Sequence, residues 1–190
     1  MSDPMKPRLV EVEAAATSAP LGHYGAVSTA FEAYHAELYN FLRRSTRDEA
    51  AAEDLLQEAF LRLTREVDAG RTPEHVRGWL YRVASNLAIS RGRRRATAFD
   101  WMGRYGRHSL GEDVESPEAG VLARERTSAI DTVLATLSAE ARTALLLSAD
   151  GFNGEEIAAA IGRSHGATRT LLSRTRVRVR LELEQRGDVR

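Results

Sequence analysis

The sequence holds no cysteine, a single lysine, five prolines and only 6% aromatic residues. Without thiols there is no disulfide framework and no thiolate zinc site, and the five histidines lack the i, i+4 pairing of a metal-binding helix. No apolar run approaches the roughly 20 residues that cross a bilayer, and the first residues show no basic stretch leading into an apolar one. The expectation is a cytoplasmic, soluble protein with no membrane insertion, no metal and no other cofactor. A carboxylate cluster, a nucleophile motif and a phosphate-cradling Gly loop are missing as well, so no catalysed reaction is expected.

What the chain does have is arginine, and charge sorted into blocks. Formal net charge is zero, yet residues 32–70 carry five Arg against nine acids and 71–107 carry nine against two. Residues 108–161 then carry three against ten, and 162–190 eight against three. Two basic blocks separated by an acidic one suggest two contacts with a polyanion, because phosphate neutralisation dominates nucleic-acid affinity. Solvated helix faces are the plainer reading of the same blocks. With 43% hydrophobic residues over 190 positions, the chain suffices for one ordinary domain or two small ones.

The apolar spacing is helical throughout. Residues 1–25 are rich in Ala, Pro, Ser and Gly without a period and read as a mobile tail. Thr29 with Glu32 makes a capping box ahead of Phe31, Tyr34, His35, Leu38, Tyr39 and Leu42. Asp48 caps a second helix whose buried stripe is Ala52, Leu55, Leu56, Ala59, Phe60 and Leu63. Thr72-Pro73 signals the start of a third, with Val76, Trp79, Leu80, Val83 and Leu87 as its apolar face. These three helices make one bundle over residues 26–96. Residues 97–116 lack a sustained period and read as a linker. Its cluster Phe99, Trp101, Met102 and Tyr105 is either a docking patch or, more simply, packs back on the bundle.

Residues 117–190 read as a second, four-helix domain. Ser116-Pro117 opens its first helix and Ser138 its second, which ends at Gly151. Asn153 and Glu156 have capping-box spacing, Gly162 suits a left-handed helix end, and Ser164 caps the successor, which is a helix-turn-helix pattern. In that geometry Ser164, His165, Arg169, Thr170, Ser173 and Arg174 reach bases and phosphates. Leu171 and Leu172 cannot both stay exposed. The alternating stretch at 176–184 fits a strand or a helix; helix is preferred, because a lone terminal strand has no partner in an all-α chain. The fold class is therefore all-α, two small helical domains joined by a linker, the C-terminal one a winged-helix-like helix-turn-helix domain.

Two further stripes stand out. Arg91, Arg93, Arg94 and Arg95 end the third helix, and Arg82, Asn86 and Arg93 share roughly one side of it, suited to lie on a nucleic-acid backbone. On the second helix Asp54, Gln57, Glu58 and Leu61 fall at i, i+3, i+4 and i+7 beside the buried stripe. Carboxylates repel phosphate, so this stripe is either a solvated face or a protein interface.

"DEAAAEDLLQEAFLRL", "RGWLYRVASNLAISRGRRR" and "LSAEARTALLLSADGFNGEEIAAAIGRSHGATRTLLSRTR", in that order, resemble the sigma-70 family of RNA polymerase sigma factors, in its extracytoplasmic-function group. The resemblance runs from about Phe31 to Glu184. It implies that Asp54, Gln57, Glu58 and Leu61 bind the β′ clamp helices of core RNA polymerase. It implies that Arg82 and Asn86, with Ser90, Arg93 and Arg94 along the same helix, read and melt the −10 promoter element. It places Arg169, Thr170, Ser173 and Arg174 on the −35 element, and implies contact with the β-flap and restraint by an anti-sigma factor. Melting fits the physics, since a base drawn from the stack exposes edges hidden in duplex. The chain also departs from the family: Leu171 replaces a usual basic residue, Thr168 a usual core Val, and Ser90 a frequent Asp or Asn. A stand-alone helix-turn-helix regulator, dimeric on a palindrome, is the competing reading; it leaves the acidic stripe unexplained.

Overall fold

The computed structural model describes residues 23–105 and 130–186, and every regular element in them is a helix. In chain order these are α1 (His23–Thr46), α2 (Glu49–Asp68), α3 (Val76–Tyr105), a helical stretch at 130–136, α4 (Ala139–Ala149), α5 (Gly154–Ile161) and α6 (His165–Gln185). None of these helices is long and apolar enough to cross a membrane. Most of the expected tail, the Ser116-Pro117 helix start and the side chains of the Phe99–Tyr105 cluster lie outside the described residues.

Most boundaries follow from caps. The Asp48 carboxylate accepts the Ala51 N–H at 2.9 Å and starts α2, a contact of about 1 kcal/mol. Only Arg47, in the left-handed region at φ 59°, separates it from α1, so the two helices fold back as a hairpin. Ser138 caps α4, and Asn153 with Glu156 forms the reciprocal box on α5. Gly162 at φ 69° ends α5 where a side chain would be strained. Ser164 then caps α6, which continues as a helix through the alternating 176–184 stretch.

Three sequence expectations need correction. Helix α1 starts at His23, not beside Thr29, whose hydroxyl donates to the Gly25 carbonyl from within the helix. Burial of Ala30 and partial burial of Val27 carry the helix back past the capping box. Pro73 does not open α3: the chain between α2 and Val76 is held by a backbone bond from Arg71 to the Glu66 carbonyl (2.8 Å). The Arg71 guanidinium adds a two-pronged contact to the Glu66 carboxylate at 2.9 and 3.0 Å. Finally, α3 continues to Tyr105, into the stretch expected to be linker.

The buried face of α3 also differs from the expected one. Leu80, Tyr81, Ala84, Ser85, Ala88 and Ile89 are buried, while Val76, Trp79, Val83 and Leu87 are half-exposed. The reason is that α3 is packed from two sides, by α1 and α2 on one and by α4 and α5 on the other. Tyr81, 2% exposed, sits between Phe41 of α1 (ring centroids 5.1 Å) and Phe152 before α5 (4.8 Å). The Arg77 guanidinium covers both the Tyr81 and Phe152 rings, at 5.0 and 4.8 Å. Burial pushes the Tyr81 phenol up to about 12. The two helical domains therefore join in one hydrophobic core that runs from Leu38 through Leu80 to Leu147, Ile157 and Leu172.

Candidate nucleic-acid interface

The acidic stripe lies on the open face of α2. Asp54 and Gln57 are exposed, Glu58 is half-buried, and Leu61 stands 51% exposed directly after the buried Phe60. Glu58 is held by its own helix, accepting from Arg62 Nε at 2.7 Å, and that bond keeps its carboxyl below the usual range. One exposed leucine thus stands among three polar groups on this ridge of α2.

On α3, Arg82, Asn86, Ser90, Arg93 and Arg94 are all exposed. Asn86 Nδ2 donates to the Arg82 carbonyl at 3.0 Å, which leaves its amide oxygen outward as an acceptor. Arg82 and Arg94 make no ion pair among the described residues. The rest of the basic end is engaged. Asp48 sits 3.3 Å from Arg91 and 4.0 Å from Arg95, and Arg93 Nη2 lies 3.6 Å from Glu140 of α4.

The helix-turn-helix is α5, the Gly162–Ser164 turn and α6. Ser164, His165, Arg169, Thr170, Ser173 and Arg174 are exposed along the first turns of α6, while Thr168, Leu172 and Thr175 are buried on the opposite side. Ser164 spends its hydroxyl on the Ala167 N–H, and Thr170 donates to the Gly166 carbonyl at 3.1 Å. Arg169 and Arg174 carry no ion pair among the described residues, so both guanidiniums are open to a ligand. Gly154 admits the His165 ring: a Cβ there would stand 2.7 Å from Nε2. Thr168, in the place of a usual core Val, meets its burial by donating its hydroxyl to the Ser164 carbonyl at 3.0 Å. Leu171 is half-buried against the core, so it is not an outward substitute for a basic side chain.

Among the described residues no group of His, Asp and Glu is placed to hold a metal ion. The three exposed sets thus occupy three helices, α2 with acids and α3 and α6 with arginines and amides.

Residues 30–97 match sigma-70 region 2 and residues 127–179 match sigma-70 region 4. The chain is 32% identical to the RNA polymerase sigma-H factor of Pseudomonas aeruginosa, over 75% of this chain and 78% of that protein. The chain belongs to the sigma-70 family. Within it, the extracytoplasmic-function group is its place: the sigma factor SigL of Mycobacterium tuberculosis, which bears that designation, is 31% identical over 84% of this chain and 90% of its own length. Among solved structures, the sigma factor RpoE of Bartonella quintana, crystallised with the anti-sigma factor NepR, has the same fold with a TM-score of 0.59. It covers 81% of this chain and 94% of that one at 23% identity.

For this sigma factor, sequence reasoning missed Arg163 and the acids that meet the arginines. Arg163 pairs with Glu140 through Nε and Nη2, a contact 23 residues apart along the chain that no local pattern reveals.

Proposed function

We propose that this chain is the dissociable sigma subunit that directs core RNA polymerase to specific promoters, acting in the cytoplasm and catalysing no reaction itself. The α2 stripe of Asp54, Gln57, Glu58 and Leu61 binds the β′ clamp helices. Arg82, Asn86, Ser90, Arg93 and Arg94 of α3 engage and help to open the −10 element. Ser164, His165, Arg169, Thr170, Ser173 and Arg174 dock α6 in the major groove of the −35 element. Val177 and Leu181, exposed further along α6, offer an apolar contact for the β-flap. An anti-sigma protein is the expected restraint.

The observation that carries this reading is the division of charge over the surface. One helix presents carboxylates and a leucine where a nucleic acid would be repelled, while two other helices present uncompensated arginines. A subunit that bridges protein and DNA needs both kinds of surface, and a stand-alone regulator has no use for the first.

The test is in vitro transcription with bacterial core polymerase on a mixed promoter library, with and without the chain, mapping start sites. Defined starts that appear only with the chain present support the proposal, and their aligned upstream sequences give the −10 and −35 elements. Duplex binding by the chain alone, with no defined starts, would instead favour a stand-alone regulator.

A further inference from the structure

Glu140 stands in the first turn of α4, and its carboxylate faces guanidiniums from both domains. Arg163, immediately before the cap of the recognition helix, presents Nε to Oε1 and Nη2 to Oε2, the latter at 3.1 Å. Arg93, at the basic end of α3, places Nη2 3.6 Å from the same Oε2. The Glu140 side chain is 14% exposed, whereas Arg93 and Arg163 remain 68% and 46% exposed. The carboxylate is therefore enclosed by two cations that are themselves open to solvent. Its two-pronged geometry on Arg163 is the one by which arginine also grips phosphate.

Nothing else in the local fold calls for a carboxylate here. Helix α4 is capped by Ser138, whose hydroxyl accepts the Ala141 N–H, and a charge at this position adds only a modest interaction with the helix dipole.

We infer that Glu140 is an internal stand-in for DNA phosphate. In the free chain it occupies Arg93 and Arg163, and the DNA backbone displaces it on binding. Arg163 is then a further phosphate-contacting residue, and Glu140 lowers the affinity of the free chain for DNA. The same carboxylate ties Arg93 of the N-terminal domain to the turn of the helix-turn-helix, so its displacement loosens one contact between the domains. The inference rests on the reading of α3 and α6 as DNA-binding helices.

The experiment uses the full chain and a 30-bp random-sequence duplex, followed by fluorescence anisotropy over a salt series. Glu140→Gln is expected to bind roughly tenfold tighter at low salt, with the slope of log affinity against log salt steeper by about 1 to 2. Glu53→Gln, an equal charge change on exposed α2, is the control and is expected to shift affinity less than about twofold. Arg163→Gln is expected to change little in the native background, where the residue is already occupied, and to remove most of the gain in the Glu140→Gln background. Glu140→Asp keeps the charge at the helix start but not its reach. It is expected to shift affinity in the same direction by less, and it carries the test should the Gln variant melt early. Glu140→Gln binding no tighter than Glu53→Gln, or Arg163→Gln acting equally in both backgrounds, overturns the inference. Because the assay contains no polymerase, a failed transcription assay leaves its result standing, and a wild-type-like Glu140→Gln leaves the sigma assignment untouched.

Discussion

The Arg142 guanidinium of α4 reaches into the N-terminal domain and donates through Nε to the Ser45 carbonyl at the end of α1, 2.8 Å away. Its Nη1 donates to the Leu134 carbonyl at 3.0 Å. The residue is 9% exposed, and burial, with the nearby Arg47 charge, depresses its pKa. A buried cation is tolerated here because carbonyls at helix C-terminal ends carry partial negative charge and keep lone pairs free to accept a further donor. Arg142→Met keeps the bulk but strands the Ser45 carbonyl and leaves the Leu134 carbonyl with only the Leu137 N–H, and is expected to cost about 1–3 kcal/mol in urea unfolding. Wild-type stability in that variant would remove this contact from the forces joining the domains.

The crossing of α3 and α4 depends on a missing side chain. A Cβ at Gly92 would overlap that of Ala139, so Gly92→Leu is expected to wedge the two helices apart. Small-angle scattering should show a larger radius of gyration with helical circular dichroism unchanged. Gly92→Ala combined with Ala139→Gly is expected to restore the compact dimension, since the pair exchanges one methyl between facing positions. Unchanged scattering by Gly92→Leu would place the domain contact elsewhere.

Asp48 ties acid stability to the α2 cap. Its carboxyl is held below the usual range chiefly by the Ala51 N–H bond, with burial opposing and the Arg91 and Arg95 charges assisting. A depressed folded pKa means the contribution is present above the unfolded carboxylate value and lost as pH falls through the folded one. Asp48→Asn still caps the helix, and is expected to flatten the fall in melting temperature below about pH 4. Parallel melting curves for the two chains between pH 6 and 3 would show that the charge contributes nothing.

Because Asp54 and Glu58 face solvent on a helix whose other side is packed, reversing their charge should leave the fold intact. The variant Asp54→Arg with Glu58→Arg is expected to abolish binding to core polymerase in size-exclusion chromatography, with an unchanged helical spectrum. Normal co-elution would assign clamp binding to another surface.

Arg169 projects from the first turns of α6 without an ion pair among the described residues. Arg169→Ala is expected to weaken binding to a −35-containing duplex about tenfold, and to weaken a scrambled duplex less. Equal loss on both duplexes would reduce Arg169 to a phosphate contact.

Much of this was legible in the sequence, because caps and apolar periods are local. Asp48, Ser138, the Asn153–Glu156 box, Gly162 and Ser164 each mark a helix end within four residues of the group they satisfy, so their positions needed no tertiary information. The exposure of the Asp54 stripe follows from the same short-range geometry, whereas the alternating 176–184 stretch fits strand or helix locally and reads as helix only because an all-α chain offers a lone strand no partner. What only the tertiary structure decided is the relation between the two domains. The buried face of α3 turned toward Tyr81 and Ala84 because a second set of helices covers it, and a period read along one helix cannot count its neighbours. Likewise the local pattern places Arg93 on the DNA-facing side of α3 and singles out neither Arg142 nor Arg163. Their separate roles, as one side of a carboxylate clasp, a buried tie between domains and the other side of that clasp, depend on Glu140 and the Ser45 carbonyl, and the folded chain alone brings those groups within reach.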